Sequence, residues 1–321
     1  MTPAEVAAFI CARTGARAVE VDGLERLTGG AIQENFGFTA IIDGTPHDLV
    51  LRTEARTRVP ESHSIAEQFA LMRAAHDAGV PVAEPLWLNT DGAAYFIVRR
   101  LAGTALGARM VRDGSKPGLA VALAEALARI HTITPPRDDL GFLPIPRDPP
   151  RAASALYRAY LDREPEPHPA LEWGLRALER RAPQSRETVL CHRDFRTGNY
   201  MAEGDRLTGI LDWEFAGWGD PHEDVGWFCA KCWRFGAVER EAGGIADRET
   251  FIRAYEEACE QRASGRAIDR AAVRYWELMA HVRWAIIALH QTARRRAEPS
   301  LELALIGRRL PELEHEVLQL A

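Results

Sequence analysis

The chain has 321 residues, 46% of them hydrophobic and 27% charged, with a net charge of −6 at pH 7. That length suffices for two lobes with sizeable cores, and the composition is that of an ordinary soluble globular protein. The acidic balance excludes the basic footprint of a nucleic-acid binder, and no run approaches the twenty apolar residues of a membrane span. The first residues, "MTPAEVAAFICARTGARAVE", lack a secretory signal's basic start and read as an amphipathic helix. The expectation is a cytoplasmic protein, and five cysteines fit a reducing compartment better than a disulfide framework.

After that first helix come three alternating runs, roughly 18–27, "NFGFTAIID" (35–43) and "HDLVLRTE" (47–54). Asp43-Gly44 between the last two predicts a tight hairpin. "SIAEQFALMRAAHDAG" (64–79) has helical periodicity, a Ser cap and a Gly stop, and two further strands follow around Asp91-Gly92. This β-β-β-α-β-β order closes near Gly103, where "LAGTALGARMVRDGSKPG" reads as a linker. The predicted division is 1–103 and 104–321. Beyond it helices dominate, at roughly 117–132, 151–163, 168–181, 248–262, 269–296 and 300–319. Only "TVLC", "YMA" and "LTGILDW" interrupt as short strands, and "PPRDDLGFLPIPRDPP" (135–150) reads as a surface excursion. The chain is thus α+β, with a strand-rich front and a helix-rich back.

Those short strands frame "LCHRDFRTGNY" (190–200), an apolar strand end that turns at once into polar groups. Asp194 and Asn199 are five residues apart on a tight loop, and Gly198 allows its turn without a Cβ clash. "LTGILD" ends with Asp212 at the same edge. A carboxylate, an amide oxygen and a second carboxylate therefore converge. Phosphoryl transfer needs that set, as a base beside the attacking hydroxyl and hard oxygen ligands for Mg²⁺. A metal-dependent hydrolase would use His192 and Asp194, yet none of the ten His forms an HxxxH or HxH pair. Cys229 and Cys232 in "WFCAKCWRF" supply only half a zinc site, and their flanking aromatics read as a packed helix.

The segment "LCHRDFRTGNYMAEGDRLTGILDWEFAGWGDPHEDVGWF" (190–228) resembles the catalytic segment of the aminoglycoside phosphotransferase family, a branch of the protein-kinase-like superfold. Within it the chain is similar to the kinase-like domain attached to some acyl-CoA dehydrogenases. The likeness is dense over 190–228, looser over 24–103 and only architectural elsewhere. It implies a small N-terminal lobe, a five-stranded antiparallel sheet with a helix, and a larger, mostly helical C-terminal lobe. It implies Asp194 as catalytic base, Asn199 and Asp212 as Mg²⁺ ligands, His192 as a brace of the loop and Asp224 as the carboxylate that ties the loop down.

In the front lobe, "LTGGAIQENFGFTA" stands where the family has its phosphate-covering loop, with Gly29 and Gly30 for a close turn and Asn35 at the entry to the second strand. Read without the resemblance, those glycines make an ordinary hairpin turn. Glu67 matches the glutamate that pairs with the third strand's nucleotide-binding Lys, and as a bare helix residue it would lie on a solvated face. The Lys itself is replaced by Arg52, in a chain with 38 Arg and only two Lys. Arg keeps the charge but changes its reach and geometry.

The resemblance implies ATP, or GTP, with Mg²⁺ as cofactors and a hydroxylated small molecule as acceptor, with neither nucleic acid nor membrane as partner. The competing expectation is a non-catalytic nucleotide-binding module or regulatory pseudokinase, favoured by Arg52 and opposed by Asp194, Asn199 and Asp212. Glu214, Asp220, His222 and Glu223 either face the acceptor or are solvated loop residues. Trp276, Met279, Ala280, Arg283, Trp284 and Ile287 make a helical stripe that reads as core before pocket wall.

Overall fold

The computed structural model describes residues 1–27, 34–54, 62–262, 264–297 and 301–321. Helix α1 (Pro3–Thr14) opens on a capping box between Thr2 and Glu5. Strands β1 (Val19–Arg26), β2 (Asn35–Ile42) and β3 (Thr45–Thr53) follow. Asp43 and Gly44 both take positive φ, 47° and 84°, which is the twist a two-residue hairpin requires. Helix α2 (Ile65–Asp77) has Ser64 as its cap, with Glu67 closing the box, and β4 (Pro85–Asn89) and β5 (Tyr95–Arg99) complete the sheet.

The sheet order is β1-β2-β3-β5-β4, antiparallel throughout. Alternation along β2 and β3 places Phe38, Ala40, Leu49 and Leu51 on one face, where Val6 and Ile10 of α1 cover them. Helix α2 packs through Phe69 against Phe96 and Val98 of β5.

The expected linker after Gly103 instead contains a short helix, α3 (Gly107–Arg112), which buries Met110 and Val111. Helices α4 (Pro117–Ile130), α5 (Pro149–Leu161) and α6 (Pro169–Arg181) follow. Helix α5 starts inside the Pro-rich excursion, because Pro149 is compatible with a first helical turn and Asp148 caps it. Next come β6 (Val189–Cys191), β7 (Tyr200–Glu203), β8 (Arg206–Ile210) and β9 (Gly217–Gly219). Helices α7 (Pro221–Cys229), α8 (Arg248–Gln261), α9 (Arg270–Ala297), α10 (Leu301–Gly307) and α11 (Leu310–Leu320) complete the chain.

The predicted final helix is therefore two. Pro311, which has no N–H to donate, sits in the first turn of α11 and favours a helix start there. The side chains of Arg294–Arg296 lie outside the described residues. Among the described residues no helix is long and apolar enough to cross a membrane.

Two features hold strands β6 to β9 in place. Strand β6 pairs with β9, and the β7–β8 hairpin is stitched to the front of the molecule. Ile210 N donates to Pro81 O at 2.7 Å, and Thr104 and Ala202 exchange backbone bonds at 3.0 and 3.1 Å. His63 adds a third stitch, its N–H donating to Glu214 O at 2.8 Å.

Candidate active site

The loop between β6 and β7 is anchored by Asp224, which α7 carries into the protein interior. Its two oxygens accept the backbone N–H groups of His192 and Arg193, each at 2.7 Å. Burial works against its charge. The His131 hydrogen bond and the His192 N–H outweigh that and hold its pKa below the ordinary carboxylate value.

Behind Asp224 runs a buried chain of polar groups. His131 Nε2 lies 3.1 Å from Asp224 Oδ2, and its Nδ1 lies 2.7 Å from the Tyr255 hydroxyl. Arg266 donates to that hydroxyl at 3.1 Å and grips Glu187 with two bonds of 2.5 and 2.7 Å. Burial lowers the pKa of His131, only partly offset by Asp224, so it stays neutral. It then donates from Nε2 and accepts from Tyr255 at Nδ1.

His131, Cys191 and Asp224 bring ligand-type atoms together, but these are already engaged. The Cys191 thiol donates to Asp220 O at 3.3 Å, and burial pushes its pKa well up. The cluster is a hydrogen-bonded anchor. Cys229 and Cys232 are likewise buried, with thiols pushed up by burial, among packed aromatics.

His192 ties two parts of the loop together. Its Nδ1 accepts the Asp194 N–H at 3.2 Å, so Nε2 carries the proton it gives to Leu211 O at 2.8 Å. Leu211 N in turn donates to Asn199 O at 2.8 Å. Asp194, Asn199 and Asp212 are thereby held on one short circuit of bonds. Gly198 adopts φ 108°, a conformation costly for any side chain, and delivers Asn199 to it. Arg193 and Asp212 also have positive φ, 62° and 59°, in a region most non-glycine residues avoid.

The Asn199 amide nitrogen donates to Asp194 Oδ2 at 2.5 Å and to Asp194 O at 3.0 Å. Its carbonyl oxygen is consequently turned away from Asp194. Asp212, with 42% of its side chain exposed, receives Arg52 Nη2 at 3.1 Å. An amide oxygen and a carboxylate are hard donors of the kind Mg²⁺ takes, so these two residues fit that ion.

On the front sheet, Asn35 stands opposite Arg52 in the β2–β3 register, and Arg52 reaches across to Asp212. Glu67 Oε2 accepts from the N–H and hydroxyl of Ser64, both at 2.7 Å, as part of the α2 cap. Gly29 and Gly30 lie outside the described residues.

Of the four polar residues after Asp212, Asp220 caps α7 and bonds His222 Nδ1 at 2.6 Å, while His222 Nε2 accepts Asp269 N–H. Those two serve the fold. Glu223 lies partly buried 3.5 Å from Arg193, desolvation pushing its pKa up against that cation. It lines a small cavity with Tyr157, Trp227, Trp276, Met279, Ala280 and Arg283. The helical stripe is thus core and wall at once.

With this geometry in hand, comparison with known proteins is decisive. The profile of the phosphotransferase enzyme family matches residues 23–267. The chain belongs to that family. Among curated proteins it is 30% identical over 197 residues to mouse acyl-CoA dehydrogenase family member 10, covering 56% of this chain and 18% of that protein. It is 26% identical over 186 residues to human family member 11, covering 53% and 23%. The chain spans only about a fifth of the length of these relatives.

Solved structures share its fold across nearly the whole chain. A spectinomycin phosphotransferase in complex with ADP and spectinomycin superposes with a TM-score of 0.67 at 12% identity, covering 100% of this chain and 98% of that one. A macrolide 2′-phosphotransferase from Brachybacterium faecium gives 0.60 at 20% identity, covering 94% and 96%. The fold is protein-kinase-like, with two lobes. Within this member of the phosphotransferase family, the sequence reading overlooks His131, Tyr255, Arg266 and the Trp227 indole, which donates to Asp194 Oδ1 at 3.1 Å. Only Trp227 carried a local signal, three residues after Asp224.

Proposed function

We propose that the protein transfers the γ-phosphoryl group of ATP or GTP to a hydroxyl of a small molecule. Residues 1–103 would serve as the nucleotide-binding lobe and residues 104–321 as the catalytic and acceptor-binding lobe. The observation that carries this reading is the convergence of Asp194, Asn199 and Asp212, with the Asn199 amide nitrogen bonded to Asp194 and its oxygen left for a cation. Asp194 takes the acceptor's proton as the new O–P bond forms and the bond to the nucleotide's bridging oxygen breaks. Bound between Asn199 and Asp212, Mg²⁺ would neutralise phosphate charge. Arg52 holds phosphate oxygens in its fork, with Asn35 opposite it on the sheet and Glu67 near the helix start. Nucleotides bound to structural relatives, ADP in one and AMP-PNP in another, support a nucleotide as donor.

The acceptor is a hydroxylated small molecule. Spectinomycin, hygromycin B and gentamicin are bound by relatives. Here Asp220 and His222 are engaged in the fold and Glu223 is paired with Arg193, so these three are not free to line an acidic pocket for a polycation. The test is incubation with ATP, Mg²⁺ and a library of hydroxylated metabolites and antibiotics, followed by mass spectrometry for products one phosphate heavier. Product from the wild type and none from Asp194→Asn is the expected result. A second reading, a nucleotide-binding pseudokinase, is favoured by one observation: Arg52 replaces the usual Lys and ion-pairs with Asp212. Nucleotide binding without product across the library would select it.

A further inference from the structure

The stretch "WFCAKCWRF" (227–235) draws attention through its cysteines, but its indoles reach the active site. Trp227 Nε1 and Arg196 Nε both donate to Asp194 Oδ1, each at 3.1 Å. The Arg196 guanidinium lies over the Trp233 ring, 4.6 Å from its centroid, and Trp233 packs against Trp227 with ring centroids 5.3 Å apart. The four side chains form a closed circuit: carboxylate, indole, indole, guanidinium and back to the same carboxylate oxygen. Both indoles are buried, at 3% and 4% exposure. Arg283 secures the circuit from α9. Its guanidinium lies 4.4 Å from the Trp227 centroid, and it donates to Arg193 O, the carbonyl just before Asp194, at 2.5 Å.

We infer that Trp227 and Trp233, with Arg196, are positioning residues that fix which oxygen of Asp194 meets the acceptor hydroxyl. This rests on the kinase reading given above. A carboxylate's terminal torsion is broad and two-fold, so nothing in an aspartate itself keeps its oxygens distinct. Here the circuit makes them so. Oδ1 receives two N–H donors, one of them cationic, which occupy both of its in-plane lone pairs; among the described residues Oδ2 receives only the neutral amide of Asn199 and keeps one lone pair open. Oδ2 is therefore the oxygen that takes the proton. A carboxylate free to turn would present its two oxygens alternately, and turnover would fall without any change in nucleotide binding.

Trp227→Phe tests this, because it keeps an aromatic ring at the position and removes the N–H together with the pyrrole half of the indole. The expected result is a fall in kcat of about tenfold or more, the scale of a hydrogen bond to a charged group, with the nucleotide KM unchanged. Trp233→Ala should match that loss, and Trp233→Phe, which restores an aromatic face for Arg196, should recover most of it. A second readout needs no acceptor. Among the eight Trp indole signals in a ¹H–¹⁵N spectrum, the one lost in Trp227→Phe should shift in Asp194→Ala. An active wild type matched in kcat by Trp227→Phe, or an indole signal indifferent to Asp194→Ala, overturns the positioning role alone. A wild type that phosphorylates nothing overturns the kinase reading, and the role with it.

Discussion

The loop between β6 and β7 and the facing edge of β2 and β3 solve opposite problems. The loop's charged groups are fixed from behind: Asp224 is fully buried, accepts two backbone N–H groups and rests on the His131–Tyr255–Arg266 chain. At the front edge, Arg52 reaches Asp212 by one bond of 3.1 Å to a carboxylate that is 42% exposed. A base must meet one oxygen at one angle, so its support is rigid and dry. On the proposed function Arg52 serves a ligand that comes and goes, and its partner Asp212 accordingly faces solvent. Substitutions in the two regions should therefore fail in different currencies.

The largest effect belongs to the base. Asp194→Asn should retain nucleotide affinity and lose about 10²–10⁴-fold in turnover, the scale of a positioned general base. Paired calorimetry and turnover measurements check it. A variant within a few-fold of wild-type turnover would remove Asp194 from that role.

Next comes the anchor, where loss should appear as instability. Asp224→Ala leaves the N–H groups of His192 and Arg193 and the His131 donor without their acceptor in a dry interior. Breaking a buried, hydrogen-bonded charge of this kind costs about 3–5 kcal/mol. Spread over the unfolding entropy of a 321-residue chain, that corresponds to a fall in melting temperature of roughly 4–8 °C. The same substitution at the front, Arg52→Ala, should leave the melting temperature within a few degrees. Thermal unfolding of both variants side by side sharpens the contrast, and equal losses would erase it.

This contrast also separates what the sequence discloses from what it hides. Asp194, Asn199 and Asp212 are legible because a strand, a Gly turn and a second hairpin fix their relation over a few residues. Asp224 is legible by resemblance to a dense family segment. Its partner His131 is not, because the two stand 93 residues apart and meet only through packing of α4, α7 and α8. The same holds for Arg283, legible as part of an apolar stripe but not as the cation over Trp227. Helix α3 escapes because six residues rich in Gly and Arg carry too little periodicity to oppose a linker reading. At the front, the two-residue turn and the α2 capping box are local signals, and the structure reproduces both.

A smaller effect is expected at the front edge. Arg52→Ala should weaken nucleotide binding about tenfold, since one charge-assisted contact to phosphate is lost. Arg52→Lys should fall between, because the point charge survives while the two-pronged geometry does not. Calorimetry with ATP and Mg²⁺ orders the three forms. If Lys binds as weakly as Ala, geometry rather than charge sets the clamp; if all three bind alike, Arg52 does not hold phosphate.

The smallest effect separates the regions by pH. His131 is buried and neutral, with its pKa below the ordinary histidine value of about 6.5, so the folded state resists a proton that the unfolded chain accepts. Its contribution to stability is therefore complete above about pH 6.5 and declines as pH falls below that value. Other buried groups titrate as well: His281 shares this sign, whereas Glu277, pushed up to about 7 by burial, has the opposite one. The wild-type curve alone is thus a sum of opposing slopes. The difference between wild type and His131→Gln isolates one of them. Glutamine keeps a donor for Asp224 and does not titrate, so the stability advantage of the wild type over the variant should shrink between pH 7 and pH 5. An advantage that instead grows as pH falls from 7 would mean that His131 already carries a proton in the folded protein. The anchor of the catalytic loop would then be an ion pair rather than a neutral relay.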